Sequence, residues 1–241
     1  MLEHQRENRL IRSRKPQYGN PGGGVLELQD VSVSYGDIHA LKSVQMGIHR
    51  GEIIFITGPS GAGKTTLLKV LAGEQRPTSG NFHAPDIGRT RNKIFVSRVF
   101  QDLKLIERQT CEENMRLAYD PGIYKNRNEF DQDMGELCRV LGVTDRMGLL
   151  ALNANGGLRQ KVAMIRALLT KPDILLADEP TSSLDSDNTR RLFDLLNLYN
   201  VKRGLTVVWA THNRDLVKKF TGRTIHLDNG RLVYSGHACF I

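Results

Sequence analysis

The feature that most constrains this chain is a glycine-rich loop set between an apolar run and a helical pattern. Residues 58–65 read Gly-Pro-Ser-Gly-Ala-Gly-Lys-Thr, which fits the G-x-x-x-x-G-K-[ST] spacing of a phosphate-binding P-loop. Residues 53–56 are apolar, and residues 66–72 have helical character. This strand–loop–helix setting is the context in which the motif is specific. The alternative, a glycine-rich turn that binds nothing, leaves these flanks unexplained.

The loop can hold a nucleoside triphosphate through backbone and side-chain contacts. Glycines let backbone N–H groups converge on phosphate oxygens, and the following helix adds the positive end of its dipole. We expect Lys64 to reach the β- and γ-phosphates and the Thr65 hydroxyl to bind Mg²⁺. The predicted ATP-binding residues of this segment are Gly58, Pro59, Ser60, Gly61, Ala62, Gly63, Lys64, Thr65 and Thr66.

An acidic pair follows a second buried run. Residues 174–177 are continuously apolar, as in a parallel strand covered on both faces, and Asp178 and Glu179 come directly after them. Ligands bind at the carboxyl ends of the strands in such sheets. Asp178 is therefore predicted to hold Mg²⁺, and Glu179 to polarise an attacking water as general base. The other interpretation is that the two carboxylates only cap the following turn.

The rest of the pattern alternates strands with helices and predicts an α/β protein with a parallel sheet and a helical insertion. Apolar residues at helical spacing predict helices at residues 66–72, 130–141 and 192–199. The second of these helices lies in a longer stretch of helical pattern, from about residue 102 to residue 150. Gly73 is predicted to cap the first helix, with Pro77 and Gly80 in a turn, and Asp228-Asn229-Gly230 predicts a hairpin. Strands are predicted at residues 25–28, 31–35, 40–48, 52–57, 93–100, 174–177 and 205–210.

Composition narrows the class of protein. The chain has 241 residues, enough for a full α/β core, and contains no apolar window long enough for a membrane span. The N-terminus lacks the apolar core of a signal peptide, which favours a cytoplasmic protein. Cys111, Cys138 and Cys239 are widely spaced, with no C-x-x-C pair, and are predicted to be reduced thiols and not a zinc site.

Part of the net charge of +8 comes from basic residues in the first 24 positions. Pro21-Gly22-Gly23-Gly24 separates this segment from the first strand. Residues 1–24 are therefore predicted to be a basic, disordered tail. The alternative is a segment that contacts acidic lipid headgroups.

The order of the motifs resembles the ATP-binding cassette (ABC) ATPases from about residue 25 to residue 235. The resemblance implies a P-loop NTPase with a RecA-like parallel sheet core and an N-terminal antiparallel β subdomain. It places a nucleotide-binding domain at residues 25–241, with a helical subdomain at about residues 102–170. The seven elements that carry it are Tyr35, the P-loop, Gln101, Asn155-Gly156-Gly157, residues 175–181 (LLADEPT), Ser183-Leu184-Asp185 and His212.

The resemblance also implies roles for residues outside the P-loop. Tyr35 would stack on adenine, and Gln101 would sense Mg²⁺ and the γ-phosphate. His212 would contact the γ-phosphate, so Glu179, His212 and Gln101 form the implied catalytic group. Two copies would pair head to tail as a homodimer, with ATP held between each P-loop and the partner's Asn155-Gly156-Gly157.

One element departs from the family. The signature L-S-G-G-Q aligns with Ala-Asn-Gly-Gly-Leu at residues 154–158. Asn155 replaces the serine that donates to the γ-phosphate, and Leu158 replaces the glutamine. The side-chain amide of Asn155 can also donate a hydrogen bond, so the sequence predicts a working but slow composite site.

Within the family, residues 55–64, 74–80, 99–106 and 207–213 are most similar to cell-division ATPases of the FtsE type. Such proteins bind an integral membrane subunit of the FtsX type and relay ATP cycling to cell-wall hydrolases. The resemblance therefore implies a cytoplasmic protein, peripheral on the inner face of the cell membrane through its partner. A groove lined by residues 103–116 would receive a short helix of that subunit.

Other functions stay open at this point. The ATPase of a lipoprotein-releasing or macrolide-type exporter is the near alternative, because its sequences are very similar. A non-catalytic scaffold that only binds ATP is another, supported by Asn155 and Leu158 alone. A nucleic acid partner is not expected, because soluble family members that bind nucleic acid or ribosomes usually carry two cassettes or a long insertion.

Overall fold

The computed structural model describes residues 25–84 and 93–237. The basic tail predicted at residues 1–24 and the third thiol, Cys239, lie outside the described residues. The chain divides into two compact units. The first contains the described residues up to Gln101, Asp173–Pro180 and those from Gly204 onward, and the second contains Asp102–Pro172 and Thr181–Arg203.

The first unit begins with a three-stranded antiparallel sheet. Its strands are β1 (Leu26–Tyr35), β2 (Ile38–Ile48) and β4 (Ser79–His83), in the order β2-β1-β4. The two strands predicted at its start form the single strand β1, which carries bulges where Asp30 adopts a left-handed φ of 50°. Gly80, predicted to lie in a turn, lies inside β4 instead.

A six-stranded, mostly parallel sheet forms the centre of the same unit. Its strands are β3 (Ile53–Thr57), β5 (Val96–Val99), β6 (Ile174–Asp178), β7 (Thr206–Thr211), β8 (Arg223–Asp228) and antiparallel β9 (Arg231–His237). Their order in the sheet is β5-β6-β7-β3-β8-β9. Both β6 and β7 are buried along their whole length, which is why they are continuous apolar runs. The two-residue turn Asn229-Gly230 has positive φ at both positions and closes the predicted hairpin.

The P-loop helix packs between the two sheets of this unit. Helix α1 (Lys64–Leu71) buries Leu67, Leu68, Val70 and Leu71 in one core with the inward residues of both sheets. Burial of four such side chains supplies several kcal/mol of hydrophobic stabilisation, at about 1.5–3 kcal/mol each. The predicted α/β core and the N-terminal antiparallel sheet are confirmed.

The second unit is helical. Its helices are α2 (Cys111–Arg116), α3 (Arg127–Val140), α4 (Gly156–Leu169) and α5 (Ser186–Arg203), with 3₁₀ turns at Thr144–Arg146 and Ala151–Asn153. The last short helix, α6 (Arg214–Val217), belongs to the first unit. The helical stretch predicted from residue 102 to residue 150 is thus broken into short pieces. One break occurs at Leu103 and Lys104, which both have positive φ.

The thiols of the second unit are structural. Cys111 and Cys138 are buried and free, and burial raises the pKa of the Cys138 thiol to about 11. A thiol with so high a pKa is a poor nucleophile at neutral pH, in agreement with the predicted reduced state. Within residues 25–84 and 93–237, no helix combines the length and apolarity needed to cross a membrane.

Candidate nucleotide site

Strand order brings the predicted catalytic segments of the first unit to one edge of the parallel sheet. Neighbouring strands β5, β6, β7 and β3 run parallel, so their carboxyl ends lie side by side. Gln101 follows β5, Glu179 follows β6, His212 follows β7, and the P-loop follows β3. Segments that are far apart in sequence are thereby assembled at one edge of the sheet.

Close backbone approach explains two of the P-loop glycines. A Cβ atom on Gly58 would lie 2.2 Å from the Leu227 carbonyl oxygen, and one on Gly63 would lie 2.5 Å from the Ala40 carbonyl oxygen. Both residues also have left-handed φ, at 151° and 102°. Gly61 has a φ of 78° but open space around it. Pro59, Ser60 and Gly61 are exposed at the tip of the loop.

Lys64 folds back across the loop that precedes it. Its Nζ donates to the carbonyl oxygens of Gly58, at 2.8 Å, and Pro59, at 2.9 Å. The Ala62 amide donates to the Pro59 carbonyl oxygen at 3.2 Å, which closes the turn. Because the ammonium group is held inside the loop and the residue is 8% exposed, its charge is fixed where an anion would enter.

Asp178, the last residue of β6, is a buried carboxylate beside the start of α1. It is 1% exposed, and burial raises its pKa while a hydrogen bond with Thr65 opposes that shift. Its Oδ2 has no hydrogen-bond partner among the described residues. An unsatisfied buried carboxylate oxygen is costly unless a cation or water completes the site. Asp178 and Thr65 therefore fit a hard cation that takes oxygen ligands.

Glu179 contacts His212 directly. The Glu179 Oε1 accepts from the His212 backbone N–H at 2.8 Å and lies 2.8 Å from the His212 Nδ1. Its Oε2 accepts from the Thr211 Oγ1 at 3.2 Å. Glu179 also has a φ of 49°, a conformation that costs about 1–3 kcal/mol for a non-glycine residue and is concentrated at functional sites. The carboxylate is therefore held firmly by the end of β7.

The two remaining predicted residues of this unit are exposed. The Tyr35 hydroxyl donates to the Gln75 Oε1 at 3.1 Å, and 44% of Tyr35 is accessible to solvent. Its ring is therefore available to stack on a planar ligand. Gln101 lies on the surface two residues after the end of β5. The structure also identifies two residues that sequence reasoning missed, Gln75 and Thr211, although Thr211 directly precedes His212.

The signature segment starts helix α4 in the second unit. Asn155 is the N-cap of this helix, and its Oδ1 accepts from the Leu158 amide at 2.9 Å. Added Cβ atoms would approach Ser183 Oγ to 2.8 Å from Gly156 and Ser183 O to 3.0 Å from Gly157. The two glycines are thus required by the chain that packs against them, and Asn155 and Gly156 stay exposed.

A cleft of about 510 Å³ lies in front of this helix start. Arg146 and Lys161 place basic groups in it, and Asp185 places an acidic one. Burial lowers the pKa of Lys161, and the Asp185 carboxylate opposes that shift. A positive dipole end beside basic side chains is suited to anions.

Leu158, where the signature departs from the family, is part of the core of the second unit. Leu158 is 5% exposed and belongs to the apolar face of α4. A glutamine is present two residues later in the same helix, and its side chain makes polar contacts. The Gln160 Nε2 donates to the Ser182 Oγ at 2.6 Å. The Gln160 Oε1 accepts from the Ser183 amide at 2.9 Å. A buried glutamine therefore fixes the segment that packs on the signature glycines, which sequence reasoning missed.

Comparison with known sequences identifies a family. The ABC transporter family, by its sequence profile, matches residues 41–182. A phosphonates import ATP-binding protein, PhnC, of Bdellovibrio bacteriovorus is 34% identical over 231 residues, covering 88% of each chain. The cell division ATP-binding protein FtsE of Mycobacterium tuberculosis is 35% identical over 202 residues, covering 80% of this chain and 87% of FtsE.

A third relative is longer than this chain. The methionine import ATP-binding protein MetN of Cupriavidus metallidurans is 34% identical over 224 residues, which cover 88% of this chain and 65% of MetN. The chain therefore spans about two thirds of the length of that relative.

Solved structures have the same fold. The ATP-binding cassette MJ0796, in a dimeric post-hydrolysis state bound to ADP and Pi, superposes with a TM-score of 0.74 at 29% identity. The match covers 90% of this chain and all of that one. An ATP-binding subunit of an ABC transporter superposes with a TM-score of 0.76 at 25% identity, over 88% of this chain and 90% of its own.

Proposed function

The chain belongs to the ABC transporter family and is an ATP-binding cassette ATPase, and from this premise we propose that it drives an FtsE–FtsX-like complex. In such a complex ATP cycling acts on a membrane partner and through it regulates cell-wall hydrolysis during division. The observation that carries the ATPase function is the assembly of the P-loop, Asp178, Glu179 and His212 at the carboxyl ends of adjacent strands. The division role is supported by the similarity to FtsE.

The first group of residues binds the nucleotide. Backbone N–H groups of the P-loop and the Lys64 ammonium would hold the phosphates, and the exposed Tyr35 ring would stack on adenine. Thr65 and Asp178, with Gln101, are the proposed holders of Mg²⁺. The observation that fits this ion is that Asp178 Oδ2 has no hydrogen-bond partner within residues 25–84 and 93–237. When bound, Mg²⁺ would neutralise charge on the β- and γ-phosphates.

The second group acts on water and the transferred phosphoryl group. Glu179 is the proposed general base, because its carboxylate lies at the same strand edge as the P-loop and is oriented by Thr211 and His212. Three contacts to one carboxylate fix its position before reaction, which is how a general base gains efficiency. His212 is the proposed γ-phosphate contact, and in this structure its ring is held by Glu179.

A second copy of the chain would complete the site. Asn155 and Gly156 are exposed at the start of α4, where the positive end of the helix dipole favours a phosphate group. The related cassette MJ0796 is dimeric. The proposed assembly is a head-to-tail homodimer in which each signature segment faces the nucleotide of the other copy, and which joins an integral membrane subunit. That subunit would hold the ATPase on the inner face of the membrane.

An import function is the second candidate, and the relatives PhnC and MetN favour it. They match this chain at about the same identity as FtsE. In that case the chain would power uptake of a solute. The exporter ATPases of the lipoprotein-releasing or macrolide type, which the sequence leaves open, would likewise work through a membrane subunit.

Capture of the membrane partner distinguishes these functions. The Glu179→Gln variant, loaded with ATP, would be used to pull partners from detergent-solubilised membranes, with the Lys64→Met variant as a control that cannot hold ATP. A membrane protein of the FtsX type, recovered only with Glu179→Gln, would support the division role. A permease with a solute-binding partner would replace it with the import role, and recovery of ribosomes or nucleic acid alone would exclude both.

A further inference from the structure

A buried arginine lies on the face of the parallel sheet that carries the metal-binding carboxylate. Arg98 in β5 pairs with Leu176 in β6, and Asp178 lies two residues beyond Leu176. Because side chains alternate along a strand, Arg98 and Asp178 project from the same face. Two residues along a strand and one strand across put their Cα atoms about 8 Å apart, within reach of an arginine side chain.

The guanidinium group is directed toward the carboxyl end of the strand. It lies over the Phe100 ring, 4.6 Å from its centroid, and Phe100 is two residues further along. The Arg98 side chain is 5% exposed, so its charge is almost completely removed from water. Its Coulombic effect lowers the pKa of Asp178, as expected for a nearby positive charge.

One acidic residue pairs with this guanidinium. Arg98 Nη1 donates to Glu74 Oε2. Glu74 follows Gly73 at the end of α1, where its backbone amide donates to the Lys69 carbonyl oxygen at 2.9 Å. The backbone of the residue that holds Arg98 is therefore anchored to the P-loop helix.

Arg98 and Asp178 each have one buried polar atom whose hydrogen bonding is unsatisfied within the described residues. Arg98 Nε is buried and has no hydrogen-bond partner in the described part of the chain, and the same is true of Asp178 Oδ2. A buried donor and a buried acceptor of opposite charge, close together on one sheet face, attract each other strongly. If they met, the arginine would occupy the carboxylate oxygen that the metal needs.

We propose that Glu74 is a positioning residue that holds the Arg98 guanidinium away from Asp178, and so keeps the Asp178 carboxylate free to bind the divalent cation. The proposal rests on the metal role of Asp178 in the proposed function. According to this proposal, the Arg98–Glu74 pair determines how tightly Asp178 binds the metal. Arg98 itself does not contact the nucleotide. Because Glu74 lies at the end of α1, any shift of that helix would alter metal binding.

The test is a double-mutant cycle read out by metal binding. Free Mn²⁺ is measured by its electron paramagnetic resonance signal during titration of the full chain in the presence of ADP. Glu74→Gln should weaken Mn²⁺ binding about tenfold, the size expected for one charge-assisted hydrogen bond that competes for the carboxylate. Arg98→Met should leave Mn²⁺ affinity at or above the wild-type value, and the double variant should recover to within about twofold of Arg98→Met.

A matched control comes from a second arginine–glutamate ion pair of this unit. Arg223 Nε lies 2.6 Å from Glu52 Oε1, next to the amino ends of the strands. Glu52→Gln breaks an ion pair whose glutamate is more deeply buried than Glu74, at 16% against 41% exposed. Because this pair lies far from the carboxyl edge, Mn²⁺ affinity should stay unchanged within about twofold. Equal losses in Glu52→Gln and Glu74→Gln would overturn the proposal, because they would show a general effect on stability.

The remaining outcomes separate the two levels of inference. If Asp178→Asn does not weaken Mn²⁺ binding, the metal role of Asp178 is wrong and the proposal fails with it. If Asp178→Asn weakens binding but Glu74→Gln does not, only the proposal fails. Weakening by both single variants, Glu74→Gln and Arg98→Met, without recovery in the double variant, would assign the pair a purely structural role.

Discussion

Two glycines of the P-loop illustrate how single residues set the shape of the site. Gly58 has a positive φ, and a Cβ on it would lie 2.2 Å from the Leu227 carbonyl oxygen. Gly61 also has a positive φ, but a Cβ on it would meet no atom within 4 Å. Gly58→Ala should therefore lower the free energy of unfolding by about 3 kcal/mol or more, and Gly61→Ala by about 1 kcal/mol. Urea denaturation of both variants measures the difference. Equal losses would contradict the role of the Leu227 contact.

Glu179 and Thr211 should contribute unequally to catalysis. Glu179→Gln removes the proposed general base and should lower kcat at least about 100-fold, with nucleotide affinity retained. Thr211→Val removes the 3.2 Å hydrogen bond to that carboxylate, together with the one that the hydroxyl accepts from the Asn213 amide at 3.1 Å, and should lower kcat about tenfold or less. Phosphate release under saturating ATP measures both rates. A Glu179→Gln variant that turns over normally would exclude Glu179 as the base.

Sequence patterns predicted the helices and strands whose apolar residues are clearly periodic or which are joined by a turn with typical turn residues. The hairpin at Asn229-Gly230 and the buried strand β6 are confirmed, since both have strong local signals. Strand β4 was missed because its residues are mostly exposed and include Gly80, so neither alternation nor β-propensity marks it. It forms because β1 offers a free edge, a tertiary cause that no local window contains.

The cap of helix α4 allows the altered signature to be tested in parts. Asn155→Ala removes the hydrogen bond to the Leu158 amide and should cost about 1 kcal/mol of stability. Asn155→Ser keeps a good cap, so stability should be retained while turnover rises, because the family's serine donor is restored. Thermal denaturation and phosphate release, measured on both variants, separate the two effects. Unchanged turnover in Asn155→Ser would show that the amide donates as well as a hydroxyl.

Leu158 is the harder half of that signature to restore. Because it is 5% exposed within the second unit, Leu158→Gln should cost about 1–3 kcal/mol by burying an amide. Chemical denaturation checks this loss, with the exposed Leu152 changed to Gln as the matched control. A neutral Leu158→Gln would mean that its amide finds a partner. The sequence suggested a simple loss of a polar contact, whereas the structure shows a residue committed to the core.

The molecule as a whole should respond to ATP by pairing. The Glu179→Gln variant should elute as a dimer with ATP and as a monomer with ADP, because trapped ATP would join two copies. Size-exclusion chromatography with light scattering measures this, and Lys64→Met should stay monomeric in either nucleotide. A Glu179→Gln variant that stays monomeric at saturating ATP would contradict the proposed head-to-tail assembly.

Much of the proposed site follows from motifs together with one rule of sheet topology. Asp178, Glu179 and His212 follow buried apolar runs, and carboxyl ends of parallel strands meet at one edge. The contact between Glu179 and His212 and the pair of Arg98 with Glu74 were not predicted. Each depends on side-chain directions across neighbouring elements, which spacing along a chain does not encode.

The central strand of the sheet pairs with strands that come much later in the sequence. Strand β3 pairs with β7 and β8, which begin at Thr206 and Arg223. While the ribosome is still making the middle of the protein, both edges of β3 remain open, and open apolar edges invite aggregation. The nascent chain therefore cannot close this core until Thr206–Thr211 and Arg223–Asp228 have emerged from the ribosome, so the ATPase forms only after β8 has been made.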